Sequence, residues 1–175
     1  IAIDSVLIFA QRLLSKGFEL KEFSPGGGFA IGYMRDQLPP PIGAYADVIV
    51  QTLKQRAPAL GLGEPKLLIE PGRSIVGRAG VALYTVGAIK DIASIRKYVS
   101  LDGGMGDNIR PALYDSRYEA LVANRATELP VETVTLAGKY CESGDVLVRD
   151  VTLPEVGPGD IISIPSSGAY APSMA

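Results

Sequence analysis

The chain has 175 residues, of which 47% are hydrophobic, and its formal net charge is −2 at pH 7. This length suffices for one ordinary domain or two small ones, and the slight acidity argues against nucleic acid as the main partner. One cysteine and no histidine exclude an internal disulfide, disfavour a metal site and favour a cytoplasmic location. No apolar run approaches the roughly 20 residues that span a bilayer, so we expect no membrane partner.

The first half of the chain alternates between helical and extended patterns. Apolar residues recur at helical spacing over 2–15, and Lys16-Gly17 provides a basic last turn followed by a glycine stop. Residues 18–23 alternate like a short strand, 44–57 return to helical spacing, and 66–69 are apolar like a buried strand. Because a strand, a helix and a strand follow one another, the pattern predicts a parallel α/β arrangement.

After about residue 78 the pattern changes to extended segments separated by glycine and proline turns. The predicted strands cover 81–89, 98–101, 131–137, 145–151 and 160–164. Only 112–124 has the spacing of a short helix. These features predict an antiparallel β-barrel or sandwich. We therefore expect an α/β domain over 1–78 joined to an all-β domain over 79–175.

A glycine triplet, Gly26-Gly27-Gly28, follows the first predicted strand. Residues without side chains let the backbone approach an anion and point N–H groups at it. The triplet is therefore a candidate phosphate site. A flexible turn would explain the same three residues, and the triplet alone does not decide between the two.

A second motif, Glu70-Pro71-Gly72-Arg73, stands at the C-terminal end of a predicted parallel strand. In α/β barrels that end of the strand faces the active site. Glu70 has a carboxylate that can pair with a cationic ring nitrogen, Gly72 exposes a backbone N–H, and Arg73 can bind a phosphate or carboxylate with two hydrogen bonds. The alternative is a structural ion pair that closes a turn.

Arg110 and Tyr114 lie four residues apart in the segment 107–114. On one helical turn they would face the same way, and an arginine beside a phenol suits a substrate carboxylate. A solvated arginine next to a core tyrosine is an equally good explanation of this segment.

The single cysteine lies in the segment Cys141-Glu142-Ser143-Gly144-Asp145, which has the composition of a tight loop between strands. A lone cysteine is more often a small buried hydrophobe than a catalyst. This one stands beside Glu142 in a polar loop, and a thiol can act as a general acid near neutral pH. Near the end of the chain, Tyr170 follows two small residues and is placed to donate to a phosphate oxygen.

Taken together, these segments resemble the pyridoxal-phosphate-dependent decarboxylases of the alanine-racemase-like barrel type, above all those that act on diaminopimelate. Six segments carry the resemblance, in the order that the family has them: 26–29, 70–77, 102–105, 107–114, 141–145 and 168–170. The glycine triplet is unspecific, whereas 107–114 and 141–145 are highly specific. The match runs over nearly the whole chain.

The resemblance implies that residues 1–78 are the later part of a TIM-like (β/α)8 barrel, followed by a β-barrel or sandwich domain over 79–175. It implies the cofactor pyridoxal 5′-phosphate and no metal. The implied reaction converts meso-2,6-diaminopimelate into L-lysine and carbon dioxide, which is the last step of lysine biosynthesis. The implied assembly is a cytoplasmic homodimer whose active sites are shared between the subunits.

Roles for individual residues are implied in the same way. The cofactor would be held by Gly26, Gly27, Gly28, Glu70, Pro71, Gly72, Arg73 and Tyr170. The substrate would be bound by Arg73, Arg110, Tyr114, Glu142 and Tyr170. Glu70 would pair with the pyridine nitrogen, Glu142 would select the distal ammonium group, and Cys141 would protonate the carbon that has lost carbon dioxide.

The family's lysine that holds the cofactor covalently, and its ring-stacking histidine, have no counterpart in these 175 residues. We therefore interpret the sequence as the C-terminal piece of a longer enzyme, inactive by itself. One alternative is a related decarboxylase that acts on another basic amino acid or on carboxynorspermidine. The other is a non-enzymatic binding or regulatory β-domain protein whose barrel half is a relic.

Overall fold

The computed structural model describes residues 2–174. The chain divides into two compact units, the first made of Ile1–Ala30 and Pro39–Gly72 and the second of Ile31–Leu38 and Arg73–Ala175. The short segment Ile31–Leu38 thus belongs to the second unit although it interrupts the first in sequence. The predicted assignment of 1–78 to a barrel and 79–175 to a β domain stays a prediction.

The first unit contains two helices, α1 (Ala2–Leu13) and α2 (Ile42–Ala59), and two short strands, β1 (Glu22–Phe23) and β2 (Lys66–Leu67). β1 and β2 pair in parallel, which confirms the predicted parallel arrangement, although both strands are shorter than the segments 18–23 and 66–69. A 3-10 turn follows α1 and ends at Gly17, whose φ of 81° is left-handed. The predicted glycine stop is therefore confirmed.

The core of the first unit lies between the two helices and the strands. Its buried side chains are Leu7, Ala10, Phe23, Leu53, Ala57 and Leu62. Leu7 and Ala10 are three residues apart, and Leu53 and Ala57 are four apart, so each pair lies on one face of its helix. These spacings are the signal from which the helices were predicted.

The second unit is built around a six-stranded sheet in the order β5-β8-β3-β4-β6-β7. The strands are β3 (Ala82–Ile92), β4 (Arg96–Leu101), β5 (Leu121–Val122), β6 (Glu132–Ala137), β7 (Val146–Leu153) and β8 (Ile161–Ile164). Three short helices accompany them, α3 (Gly72–Val76), α4 (Arg110–Tyr114) and α5 (Ala171–Met174). Every predicted strand of this half is present, and β5 is an addition.

The sheet is mixed, so the predicted antiparallel direction holds for most of its strand pairs but fails for one. β4 and β6 run parallel, with Val99 opposite Leu136, whereas the other four pairs in the sheet are antiparallel. Parallel neighbours need a crossover of a dozen or more residues. Residues 102–131 provide it, and they hold α4 and β5.

The helix predicted over 112–124 is shorter and begins earlier than expected. α4 ends at Tyr114 because Asp115 takes a left-handed conformation with φ 50°.

The strands of the second unit enclose a hydrophobic core whose most deeply buried members include Val99, Val134, Leu136, Ile162 and Ile164. Within residues 2–174, no helix is both long enough and apolar enough to cross a membrane.

Candidate functional site

Arg73 and Tyr170 are brought together by backbone contacts between the start and the end of the second unit. The amide of Gly168 donates to the carbonyl of Gly77 at 2.9 Å, next to a similar bond from Ser167 to Gly80. A Cβ at Gly168 would overlap the carbonyl oxygen of Val76, so only glycine allows this close approach. As a result, the guanidinium carbon of Arg73 lies 5.8 Å from the centre of the Tyr170 ring.

Arg110 contacts the same ring from α4. Its guanidinium carbon lies 4.9 Å from the centre of the Tyr170 ring and 5.2 Å from that of Tyr33. Nη1 donates to the hydroxyl of Tyr33 and Nη2 to Oγ of Ser116, both at 3.2 Å. We call Arg73, Arg110, Tyr33 and Tyr170 the arginine–tyrosine cluster.

The cluster opens into a cavity of about 310 Å³ lined by Arg73, Arg110, Tyr114, Tyr170 and Met174. Arg110 and Tyr114 line it together, as their spacing of four residues predicted. Buried Nε atoms of Arg73 and Arg110 have no hydrogen-bond partner among residues 2–174, and neither guanidinium forms a salt bridge there. Because a buried unpaired N–H is costly, the cavity suits a carboxylate or phosphate oxygen.

Three residues around Arg110 were missed by the sequence analysis: Tyr33 and Ser116, which accept its hydrogen bonds, and Tyr118, which packs on Tyr33. Tyr33 packs edge-on against the buried Tyr118, with ring centres 5.2 Å apart. Burial raises the pKa of Tyr118, so its phenol stays neutral at physiological pH. No local signal in the sequence connects Tyr33 with Arg110, since 77 residues separate them.

In the first unit the glycine triplet contacts Glu70. Gly26 and Gly28 have φ angles of 79° and 82°, which glycine adopts without strain. The amide of Glu70 donates to the carbonyl of Gly26 at 3.2 Å, and the hydroxyl of Ser24 donates to Oε1 of Glu70 at 2.8 Å. A Cβ on Gly27 would overlap the carbonyl oxygen of Glu70. The glycine triplet and the segment at Glu70 therefore pack directly against each other.

The cysteine loop, residues 140–145, connects β6 to β7. Cys141, Glu142, Ser143 and Gly144 are all exposed. Oε1 of Glu142 accepts hydrogen bonds from Oγ of Ser143 at 3.1 Å and from the amide of Gly144 at 3.4 Å. Neither Cys141 nor Glu142 lines the cavity at the arginine–tyrosine cluster, so within this chain the predicted acid stands apart from the predicted substrate-binding residues.

The loop of residues 103–107, which precedes α4, covers a buried tyrosine. A Cβ at Gly103 would overlap the Tyr84 ring. Burial raises the pKa of Tyr84 to about 12, and the carboxylates of Asp107 and Asp102 add to the effect. The Tyr84 phenol is therefore neutral, and its ring packs against this loop.

Comparison of the chain with known protein families identifies the family to which it belongs. Residues 8–168 match the family model described as "Pyridoxal-dependent decarboxylase, C-terminal sheet domain". The chain belongs to the pyridoxal-dependent decarboxylase family. The resemblance that its motifs predicted is confirmed, and the six-stranded sheet is the sheet domain of that family.

Individual relatives agree with the family match. The diaminopimelate decarboxylase of Bacillus subtilis (strain 168) is 49% identical over 161 residues, which are 92% of this chain and 37% of the relative. That of Staphylococcus aureus (strain COL) is 47% identical over 174 residues, 99% of this chain and 41% of the relative. The crystal structure of the M. jannaschii diaminopimelate decarboxylase in co-complex with L-lysine superposes with a TM-score of 0.84 at 36% identity, covering 98% of this chain and 38% of that chain. The chain thus spans about two fifths of the length of these relatives.

The residues present fit a phosphorylated pyridine cofactor of the kind the family's name implies. Among residues 2–174, nothing beyond the adjacent residues lies within 4 Å of a Cβ built on Gly26, Gly28 or Gly72, so an anion can approach these segments, while the N–H groups of Gly26 and Gly72 already donate to Ser24 and Glu70. In the second unit, the buried Nε of Arg73 lacks a partner. Glu70 is exposed and offers a carboxylate to a ring nitrogen.

Proposed function

We propose that this chain is the C-terminal portion of a pyridoxal-phosphate-dependent diaminopimelate decarboxylase. The enzyme converts meso-2,6-diaminopimelate into L-lysine and carbon dioxide at the end of lysine biosynthesis. The observation that carries the proposal is the 47% identity to the Staphylococcus aureus diaminopimelate decarboxylase over 99% of this chain. In this proposal the first unit is the later part of a TIM-like barrel, and the protein is a cytoplasmic homodimer.

Gly26, Gly27, Gly28, Pro71 and Gly72 would lie around the cofactor's phosphate, which the N–H groups of Gly27 and Gly28 and the side chains of Arg73 and Tyr170 would bind. Glu70 would pair with the pyridine nitrogen and keep it protonated. When bound, pyridoxal phosphate draws electrons away from the substrate carbon that loses its carboxylate.

The distal end of diaminopimelate has both a carboxylate and an ammonium group, and the chain offers a complement to each. Arg73 and Arg110 have buried N–H groups without partners, and Tyr114 lines the same cavity. These groups bind the carboxylate. Glu142 is exposed and pairs with the ammonium group, which separates this substrate from amino acids that lack a second charge pair.

Cys141 supplies the proton that replaces the lost carboxylate. Its thiol is free and exposed in this chain, whereas a proton donor works best where water is excluded. The exposure of Cys141 and its absence from the cavity lining support a homodimer in which the cysteine loop completes the active site of the partner copy. The loop then contributes Glu142 and Cys141 to the same substrate.

The direct test is turnover by the intact gene product that contains these residues. Purified with pyridoxal phosphate, it is expected to release L-lysine and carbon dioxide from meso-diaminopimelate in equal amounts. Ornithine, arginine, lysine and carboxynorspermidine are offered in parallel. Faster turnover of any of these than of diaminopimelate would contradict the proposed substrate.

A second test concerns the 175-residue polypeptide by itself, whose mass is 18.4 kDa. We expect it to take up no pyridoxyl group when it is incubated with pyridoxal phosphate and reduced with borohydride, because it lacks the family's anchoring lysine. Intact mass spectrometry measures the outcome. A pyridoxyl group on one of its lysines would show that this chain anchors the cofactor itself.

A further inference from the structure

Asp145 is the one buried residue of the exposed segment 141–145. Its exposed fraction is 3%, whereas the four residues before it are open to solvent. Oδ1 accepts a hydrogen bond from the amide of Met105 at 2.6 Å, and Oδ2 accepts one from the amide of Tyr140 at 2.8 Å. Within residues 2–174 no cation pairs with this carboxylate, so its hydrogen-bond partners are backbone N–H groups.

The neighbouring glycines leave room for this carboxylate. A Cβ at Gly104 would lie 2.6 Å from Oδ1, and a Cβ at Gly138 would overlap both oxygens. The amide of Lys139 donates to the carbonyl of Gly103 at 3.0 Å, which joins the end of β6 to the loop of residues 103–107, and the amide of Gly138 donates to the carbonyl of Asp145 at 2.9 Å, which closes the cysteine loop. Asp145 is thus built into a junction between the loop of residues 103–107 and the cysteine loop.

The junction fixes the cysteine loop on both sides of Cys141 and Glu142. Before them, the Tyr140 amide is bound by the Asp145 carboxylate; after them, the Asp145 amide donates to the carbonyl of Glu142 at 3.0 Å. The path of the backbone is determined while the two functional side chains stay exposed.

We propose that Asp145 is a positioning residue, whose carboxylate sets where Cys141 and Glu142 stand relative to the segment that leads into α4. That segment continues the junction, because the Gly104 amide donates to Asp107 at 2.8 Å and the Asn108 amide donates to the Gly104 carbonyl at 3.2 Å. The catalytic part of this inference rests on the proposed function, whereas the structural part does not.

A matched control is available in the same sheet. Asp160 also closes a glycine-containing turn, accepting a hydrogen bond from the amide of Gly157 at 2.8 Å. It is paired with Arg125, and its turn holds none of the residues assigned to the site. Asp145→Asn and Asp160→Asn therefore make the same chemical change, one beside the cysteine loop and one away from it.

The first experiment measures amide hydrogen exchange in the intact gene product with each substitution. An asparagine keeps one acceptor but turns an NH2 group towards a backbone N–H. For Asp145→Asn we expect exchange to rise about tenfold or more in peptides covering 103–108 and 138–145, since a released loop opens more often. Asp160→Asn should raise exchange around 155–160 only. Unchanged exchange in the cysteine loop of Asp145→Asn would overturn the inference.

The second experiment asks whether Asp145 acts through Cys141. Asp145→Asn is expected to lower kcat by about tenfold to a hundredfold, the scale of a misplaced catalytic group, whereas Asp160→Asn should keep the wild-type kcat. In a Cys141→Ala background the same substitution should lower kcat very little. An undiminished loss in that background, or a wild-type kcat for Asp145→Asn, would refute the positioning role.

Two provisions keep the test decisive. If Asp145→Asn does not fold, Gly104→Ala takes its place, because its Cβ presses on the same carboxylate while retaining the charge. If the wild-type protein does not turn over diaminopimelate, the proposed function fails, whereas the exchange experiment still decides whether Asp145 holds the cysteine loop.

Discussion

The arginine–tyrosine cluster and the cysteine loop, both in the second unit, are built on opposite plans. The cluster assembles Tyr33, Arg73, Arg110 and Tyr170 from four separate segments, and its guanidinium groups lie against aromatic rings. The cysteine loop is one continuous segment whose functional side chains are exposed. Side-chain packing organises the arginine–tyrosine cluster, whereas we propose that the buried carboxylate of Asp145 organises the cysteine loop.

The difference shows how each region keeps its geometry. In the cluster, ring contacts and the hydrogen bonds that Arg110 donates to Tyr33 and Ser116 hold its guanidinium directly, so the proposed ligand-binding groups are oriented before a ligand arrives. In the loop, the thiol of Cys141 is exposed, and hydrogen bonds of the backbone hold the chain in place. Substitutions in the cluster should therefore affect binding, whereas substitutions in the loop should affect the chemical step through Cys141 and binding through Glu142.

The largest expected effect is the loss of the thiol. Cys141→Ala in the intact enzyme should lower kcat by about a hundredfold or more, the contribution of a positioned general acid, with little change in KM. Thermal stability should stay at the wild-type level, because the side chain is exposed. Steady-state kinetics and a melting curve measure both, and Ser143→Ala is the neighbouring control. A KM effect without a kcat effect would place Cys141 in binding.

The cluster is tested next by Arg110→Lys. Lysine retains the charge but not the planar set of donors, so the contacts with Tyr33 and Ser116 and the unpaired Nε are lost together. We expect KM for diaminopimelate to rise about tenfold to a hundredfold, since a hydrogen bond to a charged group contributes about 1.5–3 kcal/mol. Arg117→Lys, at an exposed position, is the control. A wild-type KM for Arg110→Lys would mean that charge alone suffices.

The same contrast explains what could be predicted from the sequence. The cysteine loop is contiguous, so its composition predicted both its place between two strands and its exposed polar character. Arg110 and Tyr114 share one helical turn, so their spacing predicted their common cavity. Tyr33 contacts Arg110 across 77 residues of sequence, and such a contact leaves no periodic signal.

The fold follows the same logic. Alternation and helical spacing are local, and they predicted five of the six strands of the sheet, the two long helices and the stop at Gly17. Strand direction depends on which strands become neighbours, so the parallel pair of β4 and β6 was not visible in the pattern. The early end of α4 depends on the left-handed Asp115, a conformation that aspartate adopts only where the surrounding structure favours it.

A smaller effect is expected from the glycine that brings Tyr170 to Arg73. Gly168→Ala should lower the free energy of unfolding by about 1–3 kcal/mol, because its Cβ overlaps the Val76 carbonyl and the backbone must shift. Gly157→Ala is the matched control, since its Cβ would meet only Asp160 at 3.8 Å. Chemical denaturation compares the two. Equal stabilities would show that the approach at Gly168 relaxes at no cost.

The smallest effect concerns the turn closed by Asp160. This turn resembles the junction at Asp145, but it contains none of the residues assigned to the candidate site. Hydrogen bonds from Arg125, Asn124 and the Gly157 amide lower the pKa of Asp160 from 3.8 to about 2. Because the pKa is lower in the folded state, the stabilisation is fully present above pH 4 and is lost as the pH falls towards 2. We expect it to contribute about 1 kcal/mol or less, since the ion pair with Arg125 is partly solvated and screened.

In Asp160→Asn, the free energy of unfolding should therefore fall slightly at pH 7 and change less than that of the wild type between pH 4 and pH 2. Urea denaturation at a series of pH values measures the difference between the two curves. Parallel curves would mean that Asp160 titrates alike in the folded and unfolded chain, and that the turn is held by its backbone. A difference between the two curves that widens towards neutral pH would instead show that the Asp160 carboxylate closes its turn and contributes to stability alone. The two aspartates would then differ in one property, the kinetic coupling of Asp145 to Cys141.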